Sequence, residues 1–388
     1  MKDYLEKTRS YLDEKLIPFW AERAVEPKYG GFQTNYDKFG KRSEVTEKSM
    51  LSQCRSIFTI SHAMRLGFQW PNGLESIAQG IDFLFRKFRD AEFDGYYWIV
   101  EADGTPKDTN KIIYGHSFLI YGLSEYALLT GDKQAESEAV RVFDMLQEKV
   151  ADPVNDGYYE HFDRYFNLKK ARGDIGGHKS LDVHMHLMEA FSTLYELTRV
   201  DKHRHKLQHV IDLIFDKMID PATGTGISMF THDWRPIANV ELDTVWGRDR
   251  FKDDGKSPDI TSYGHNIEFA WLYLHAQDIL GIPRENSLDK VVPIYEHTYN
   301  KGIDWEYGGI YVEGERNGAP TEVTKEFWQQ AEAMVGFLDG YLTTGTEKYL
   351  DAFKNVHDFV FKKMINWDLG EWYALHERNG DLIWDYMG

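Results

Sequence analysis

Asp94-Gly95-Tyr96-Tyr97 is one of six short glycine and aromatic elements that mark off the chain at similar distances. The others are Tyr29-Gly-Gly-Phe32, Asp156-Gly-Tyr-Tyr159, Thr225-Gly-Ile-Ser228, Tyr307-Gly-Gly-Ile310 and Leu369-Gly-Glu-Trp372. Counted from Gly31, the marker glycines at 95, 157, 226, 309 and 370 lie 64, 62, 69, 83 and 61 residues apart. Such a period signals repeated supersecondary units, each of which buries its apolar face only against its neighbours. Aromatic residues next to tight glycine turns read as small β-hairpins, and Asp103-Gly104, Asn317-Gly318 and Asn379-Gly380 supply further turns after three of the markers.

Two helical patterns alternate between the markers. One starts near Thr46, Thr109, Asp259 and Thr324, residues suited to N-capping, and stops at Gly67, Gly131, Gly281 and Gly345, where glycine accepts a left-handed C-terminal residue. A further copy over about 178–199 runs instead into Val200-Asp201. Partner helices are predicted over about 73–89, 132–149, 201–218, 285–300 and 346–364, with a helix over 3–24 in the same role before the first marker. Six units of a helix pair and a hairpin predict an all-α fold, an (α/α)6 barrel with short β-hairpins at one end, formed by residues 1–388 as a single catalytic domain. There are six helices of the pre-hairpin type but five of the other, so a last inner helix is expected after Gly388. The longest interval holds Asp243, Arg248, Asp253, Asp254 and Gly255 within 237–258 and reads as a charged loop at the barrel mouth.

Composition narrows the chemistry. Hydrophobic residues at 42% and aromatics at 15% supply a large core and a pocket able to stack on sugars. A net charge of −18 without any Lys/Arg-rich run argues against nucleic acid and anionic membrane as partners. The lone Cys54 excludes an internal disulfide and a cysteine-based zinc site. Met1-Lys-Asp-Tyr-Leu-Glu6 lacks the apolar core of a signal peptide, and no 18-residue apolar span occurs, so a cytoplasmic location is expected.

The five capped helices carry polar residues in the N-terminal halves of otherwise apolar patterns. These are Arg55 in Ser52-Gln-Cys-Arg55, and Tyr114 with His116 in Ile113-Tyr-Gly-His-Ser-Phe118. Asp182, His184 and His186 follow in Lys179-Ser-Leu-Asp-Val-His-Met-His186, then His265 with Glu268 in Ser262-Tyr-Gly-His-Asn-Ile-Glu268. The last set is Trp328, Gln330 and Glu332 in Phe327-Trp-Gln-Gln-Ala-Glu-Ala333. In a ring of inner helices the same end of every helix points into one funnel, so these groups are expected to converge. No Gly-x-Ser-x-Gly elbow is present, which argues against a serine hydrolase. His184 and His186 leave a helix about 200° apart, so they do not chelate one ion, and His265-x-x-Glu268 resembles helical di-metal sites only singly and in reverse order. No metal or other cofactor is expected. Proton transfer suits the inventory: a histidine can take a proton from a carbon beside a carbonyl, and Arg55 can stabilise the enediolate that forms. Glu268, one turn from His265, is placed to orient that ring; Asp182 and His186, at i and i+4, can hold hydroxyls, and Trp328 and Tyr114 offer stacking surface.

Taken together, Tyr29-Gly-Gly-Phe, Ile113-Tyr-Gly-His-Ser-Phe, Lys179-Ser-Leu-Asp-Val-His-Met-His, Ser262-Tyr-Gly-His-Asn-Ile-Glu, Phe327-Trp-Gln-Gln-Ala-Glu-Ala and Gly370-Glu-Trp resemble the N-acylglucosamine 2-epimerase superfamily, particularly cellobiose and mannose 2-epimerases and mannose isomerases. The resemblance covers nearly the whole chain and implies the same (α/α)6 barrel. It implies that Arg55 contacts the oxygens of an opened sugar and that His265 is one of two acid–base histidines, with Glu268 beside it. It further implies that His186 assists ring opening, that Trp328 packs on the sugar and that Tyr114 touches it. His116 and Glu332 are expected to line the same pocket.

Departures from the family pattern bear on the substrate. Cellobiose epimerases of this family usually show Asn at the position of Asp182 and Gln at that of His116, and a more hydrophobic arginine motif, which favours a monosaccharide such as mannose. The family's second catalytic histidine, in a Trp-Lys-x-Pro-Tyr-His type motif, is expected just beyond Gly388; His376 does not match that motif and reads as structural. The leading expectation is a cofactor-independent aldose 2-epimerase acting on a mono- or disaccharide as a monomer or homodimer. Aldose–ketose isomerisation of mannose and fructose is the near alternative. An inverting glycoside hydrolase using Asp182 and Glu268 is a more distant one, since α/α barrels commonly host paired carboxylates.

Overall fold

The computed structural model describes residues 1–169, 177–238 and 257–385. The charged segment with Asp243, Arg248, Asp253, Asp254 and Gly255, and the chain end at Gly388, lie outside the described residues. In chain order the helices are α1 (Lys2–Tyr11), α2 (Ile17–Arg23), α3 (Met50–Arg65), α4 (Gly73–Phe83), α5 (Ile113–Thr130) and α6 (Lys133–Lys149). They continue as α7 (Leu181–Thr198), α8 (Asp201–Leu213), α9 (Tyr263–Leu280), α10 (Leu288–His297), α11 (Phe327–Thr344) and α12 (Glu347–Phe359).

Burial separates two rings. In α5 the consecutive residues Phe118, Leu119 and Ile120 are all buried, which requires packing on every side. In α6 the buried set Ala135, Ala139, Val142, Phe143 and Leu146 forms a single stripe, so that helix covers the barrel from outside. The inner ring is α3, α5, α7, α9 and α11, and successive members pack side by side. Their close approach depends on small residues: a Cβ on Gly122 would meet the Cys54 carbonyl oxygen at 2.8 Å. Buried side chains from Tyr11 to Ile365 form one continuous core.

The helix stops follow the sequence expectation. Gly131, Gly281 and Gly345 are the left-handed residues after α5, α9 and α11. Arg199, at φ 53°, takes that conformation after α7 without glycine. The starts differ from it. Thr46, Thr109, Asp259 and Thr324 precede the helices by a few residues, because Lys48–Ser49, Lys111–Ile112, Ile260–Ser262 and Lys325–Glu326 are short strands. The capping side chains are Ser49, Ser180 and Ser262, which accept from the backbone N–H groups of Ser52, Val183 and His265.

Each of these strands, together with His178–Ser180 before α7, pairs with the hairpin of the next unit. Ser49 pairs with Ile99, Ile112 with His161, Ser180 with Met229, Ser262 with Glu313 and Glu326 with Leu375. The marker elements themselves close tight returns after the outer helices, bridged at Val25 and Phe32, Arg89 and Tyr96, Ala151 and Tyr158, Ile219 and Gly226, Ile303 and Ile310, and Ile365 and Trp372. Buried ion pairs fasten the returns: Lys111 to Asp90 at 3.0 Å, Lys179 to Asp152 at 2.7 Å and Lys325 to Asp304 at 3.2 Å, every side chain fully enclosed. Thr261 occupies the equivalent position in the fourth copy and donates to the Gly226 carbonyl. The result is a collar of hairpins around the N-terminal ends of the inner helices.

Candidate active site

The collar explains one set of polar residues on the inner helices. The N–H groups of Phe32, Tyr96, Tyr158, Gly226 and Ile310 donate to Gln53 Oε1, His116 Nε2, His184 Nε2, Asn266 Oδ1 and Gln330 Oε1. Five helices thus use the same position to staple the preceding return. His116 and His184 each also direct Nδ1 to a carbonyl one turn back, Ile112 O and Ser180 O, both at 2.7 Å. With Nδ1 protonated, Nε2 is the acceptor that the hairpin N–H needs. Burial, with no nearby anion able to outweigh it, lowers both rings to a pKa of about 4. His116 therefore does not join the pocket as the sequence reading expected. It is a fully buried backbone acceptor, and its helix presents Tyr114 to the pocket instead. His376 is likewise buried, within the strand paired to Lys325.

A second set leaves the inner helices on the opposite side and does converge. His186 Nε2 lies 3.3 Å from Asp182 Oδ1 and 3.8 Å from Glu268 Oε1. His265 Nε2 lies 3.7 Å from the same Asp182 oxygen, and its ring packs against Trp328 with centroids 4.8 Å apart. Asp182 thus stands between two imidazoles from two helices. Glu268, expected beside His265, reaches toward His186, while Asp182 of α7 stands 3.7 Å from the His265 ring. Tyr114 meets the His186 ring edge-on at 5.2 Å.

Arg55 stacks its guanidinium over Phe118 at 4.5 Å and is faced by Tyr114, Glu268, Glu189 and Glu332. Although protein surrounds it, its side chain is exposed, which marks an open well at this level of the barrel. Glu332 accepts from Trp271 Nε1 at 2.9 Å. Burial pushes the Glu332 carboxyl up to about 7, and burial with the neighbouring Glu332 charge pushes Glu268 well above the usual range. Burial pulls the His186 ring down, but Tyr114, Asp182, Glu189 and Glu268 outweigh it and hold its pKa well above the ordinary value. The well therefore offers a cationic donor, an imidazole favoured in its protonated form, a second imidazole, and carboxyls favoured in their neutral form.

Phe58, Phe118, Tyr121, Glu189 and Trp271 belong to the same lining and were not singled out from the sequence. They extend stripes whose first members were: 55 and 58 on α3, 114, 118 and 121 on α5, 182, 186 and 189 on α7, and 265, 268 and 271 on α9 are spaced three or four apart. Extending each stripe by one or two turns finds them. The second acid–base histidine expected after Gly388 lies outside the described residues.

Comparison with known proteins places this arrangement in a class. The profile of the N-acylglucosamine 2-epimerase family matches residues 30–387. A cellobiose 2-epimerase from Bacteroides fragilis is 28% identical over 382 residues, spanning 96% of this chain and 90% of the relative. Among solved structures, cellobiose 2-epimerase from Bacillus thermoamylovorans superposes with a TM-score of 0.87 at 26% identity, over 100% of this chain and 95% of that one. A D-mannose isomerase superposes with a TM-score of 0.84 at 20% identity, over 100% and 93%, a likeness of fold. The chain belongs to the N-acylglucosamine 2-epimerase family and has its (α/α)6-barrel fold.

Proposed function

We propose that this protein is a cofactor-independent carbohydrate isomerase, an aldose 2-epimerase that inverts carbon 2 of mannose or glucose, or of the reducing-end glucose of a disaccharide. The observation that carries this reading is the pair of imidazoles, His186 and His265, converging from two helices on Asp182 in the well that Arg55 lines. His186 gives its Nε2 proton to the ring oxygen as the bond from carbon 1 to that oxygen breaks, and the carbon 1 hydroxyl passes its proton to Asp182. His265 then takes the proton from carbon 2, and the charge that builds on the two oxygens of the cis-enediolate is stabilised by Arg55. A proton delivered to the opposite face of carbon 2 completes the inversion. Trp328, packed at a tilt against His265, offers the sugar a flat apolar surface, and Tyr114, Glu268 and Glu332 hold hydroxyls. Return of the proton to carbon 1 instead makes the same site an aldose–ketose isomerase.

A monosaccharide such as mannose is favoured by Asp182, where cellobiose epimerases of the family usually have Asn. The His116 departure carries no weight for specificity, because glutamines at the same position, Gln53 and Gln330, staple the hairpins equally well. Incubation of mannose, and separately of cellobiose, in heavy water with NMR of the products tests the reading. Glucose formed from mannose with deuterium at carbon 2 is expected. Fructose as the sole early product would convert the assignment to an isomerase, and glucose released from cellobiose would replace it with a hydrolase.

A further inference from the structure

Glu189 has been given no task in this reaction, yet it makes the shortest contact to the His186 ring. Its Oε2 lies 2.9 Å from His186 Nδ1, against 3.3 Å and 3.8 Å for the carboxylates at Nε2. The two residues are three apart on α7, so helix geometry alone sets the pairing. Glu189 also faces Tyr121, whose ring stacks on Phe58 at 3.9 Å. A carboxylate fixed at one imidazole nitrogen selects the tautomer and aims the other nitrogen.

We infer that Glu189 is a positioning residue for His186, holding Nδ1–H so that Nε2 faces the sugar and carries the proton given to the ring oxygen. The inference rests on the proposed sugar chemistry for its purpose, though not for its geometry. The other groups facing His186 are Asp182 on its own helix, Glu268 and, across Asp182, His265 from α9, and Tyr114 from α5. Arg55 from α3 and Glu332 from α11 stand at the rim of the same cluster. Two carboxylates, Asp182 and Glu268, therefore remain at Nε2 in any Glu189 variant, whereas Glu189 is the carboxylate at Nδ1.

The test is a pH titration of the full chain with histidine labelled in its ring nitrogens, the His186 signals being identified by their loss in His186→Gln. Nδ1 of His186 is expected to stay protonated on both sides of the titration. In Glu189→Gln the His186 pKa is expected to fall by about 1–3 pH units, because one neighbouring anion is removed, while Glu189→Asp retains most of the wild-type value. In turnover, Glu189→Gln is expected to lower kcat at neutral pH about tenfold or more, with KM within about twofold, and to move the alkaline limb of the kcat profile down with the His186 pKa. A purely structural role would lower the folded fraction and leave that limb in place.

A His186 titration identical in wild type and Glu189→Gln would overturn the inference, as would a neutral wild-type ring protonated at Nε2. The second result needs no Glu189 variant, so it decides the matter even if Glu189→Gln does not fold. Because the titration needs no turnover, a wild-type protein that leaves every sugar unchanged would sink the functional reading while leaving the placement of Glu189 intact.

Discussion

His184 and His186 are two residues apart on one helix and both are almost fully buried, yet they have opposite chemistry. His184 faces the collar, bonds only backbone through its two nitrogens and is held neutral. His186 faces the axis, meets carboxylates at both nitrogens and is held toward its charged form. Burial is common to both; the difference is whether the enclosing groups carry charge. Residue type and burial thus do not distinguish the two histidines. The face of the helix and the charge of its neighbours do.

Three experiments press on this contrast, in decreasing size. Arg55→Ala should lower kcat by about 100- to 1000-fold, as expected when a preorganised donor to a developing oxyanion is removed, with the melting curve little changed because the side chain lines an open well. A loss below tenfold in the product assay would remove Arg55 from the chemistry. Next, glutamine at the two histidines should separate them. His186→Gln should cost about 100-fold in kcat, whereas His184→Gln, which reproduces the Gln53 and Gln330 staples, should remain within a few-fold. Equal losses in the two variants would mean that the collar and the well are not separable.

The smallest effect is in stability. His116 and His184 have folded pKa values of about 4, below the unfolded value near 6.5, so the unfolded chain binds more protons between those limits. The stabilisation is present above about pH 6.5 and is lost as pH falls towards 4, by about 1.5 kcal/mol per ring between pH 6.5 and 5. Denaturant midpoints across that range should fall in the wild type and flatten in the His116→Gln/His184→Gln double variant. An unchanged slope would show that other groups carry the acid sensitivity.

The ring architecture was legible in the sequence because a repeat imposes one geometry many times, and Gly131, Gly281 and Gly345 have a conformational reason to stand where they do. The helix starts were less legible. Thr46, Thr109, Asp259 and Thr324 are plausible caps, and nothing local reveals that the residues after them are claimed by a hairpin about 50 residues later in the chain. Arg55, Asp182, His186, His265 and Trp328 were found as polar or aromatic anomalies, and the structure brings them to one well. His116 stands out in the sequence for the same reason, but its hydrogen-bonding duty is to a backbone N–H, which leaves no trace in residue type. Glu189 and Trp271 do not stand out in the sequence, although each is one helical turn from a residue that does, His186 and Glu268.

The interlocked collar also gives the molecule an order of assembly. Each inner helix is tied backwards by a side chain, as His116 is to Tyr96, and forwards by a strand, as Ile112 is to His161. During synthesis from the N-terminus the backward tie can form as soon as the helix does, but the forward tie must await the whole next unit. Every wall of the well is therefore held first by chain made before it, and the strands that lead into α5, α7 and α9 find their partners in chain made after them.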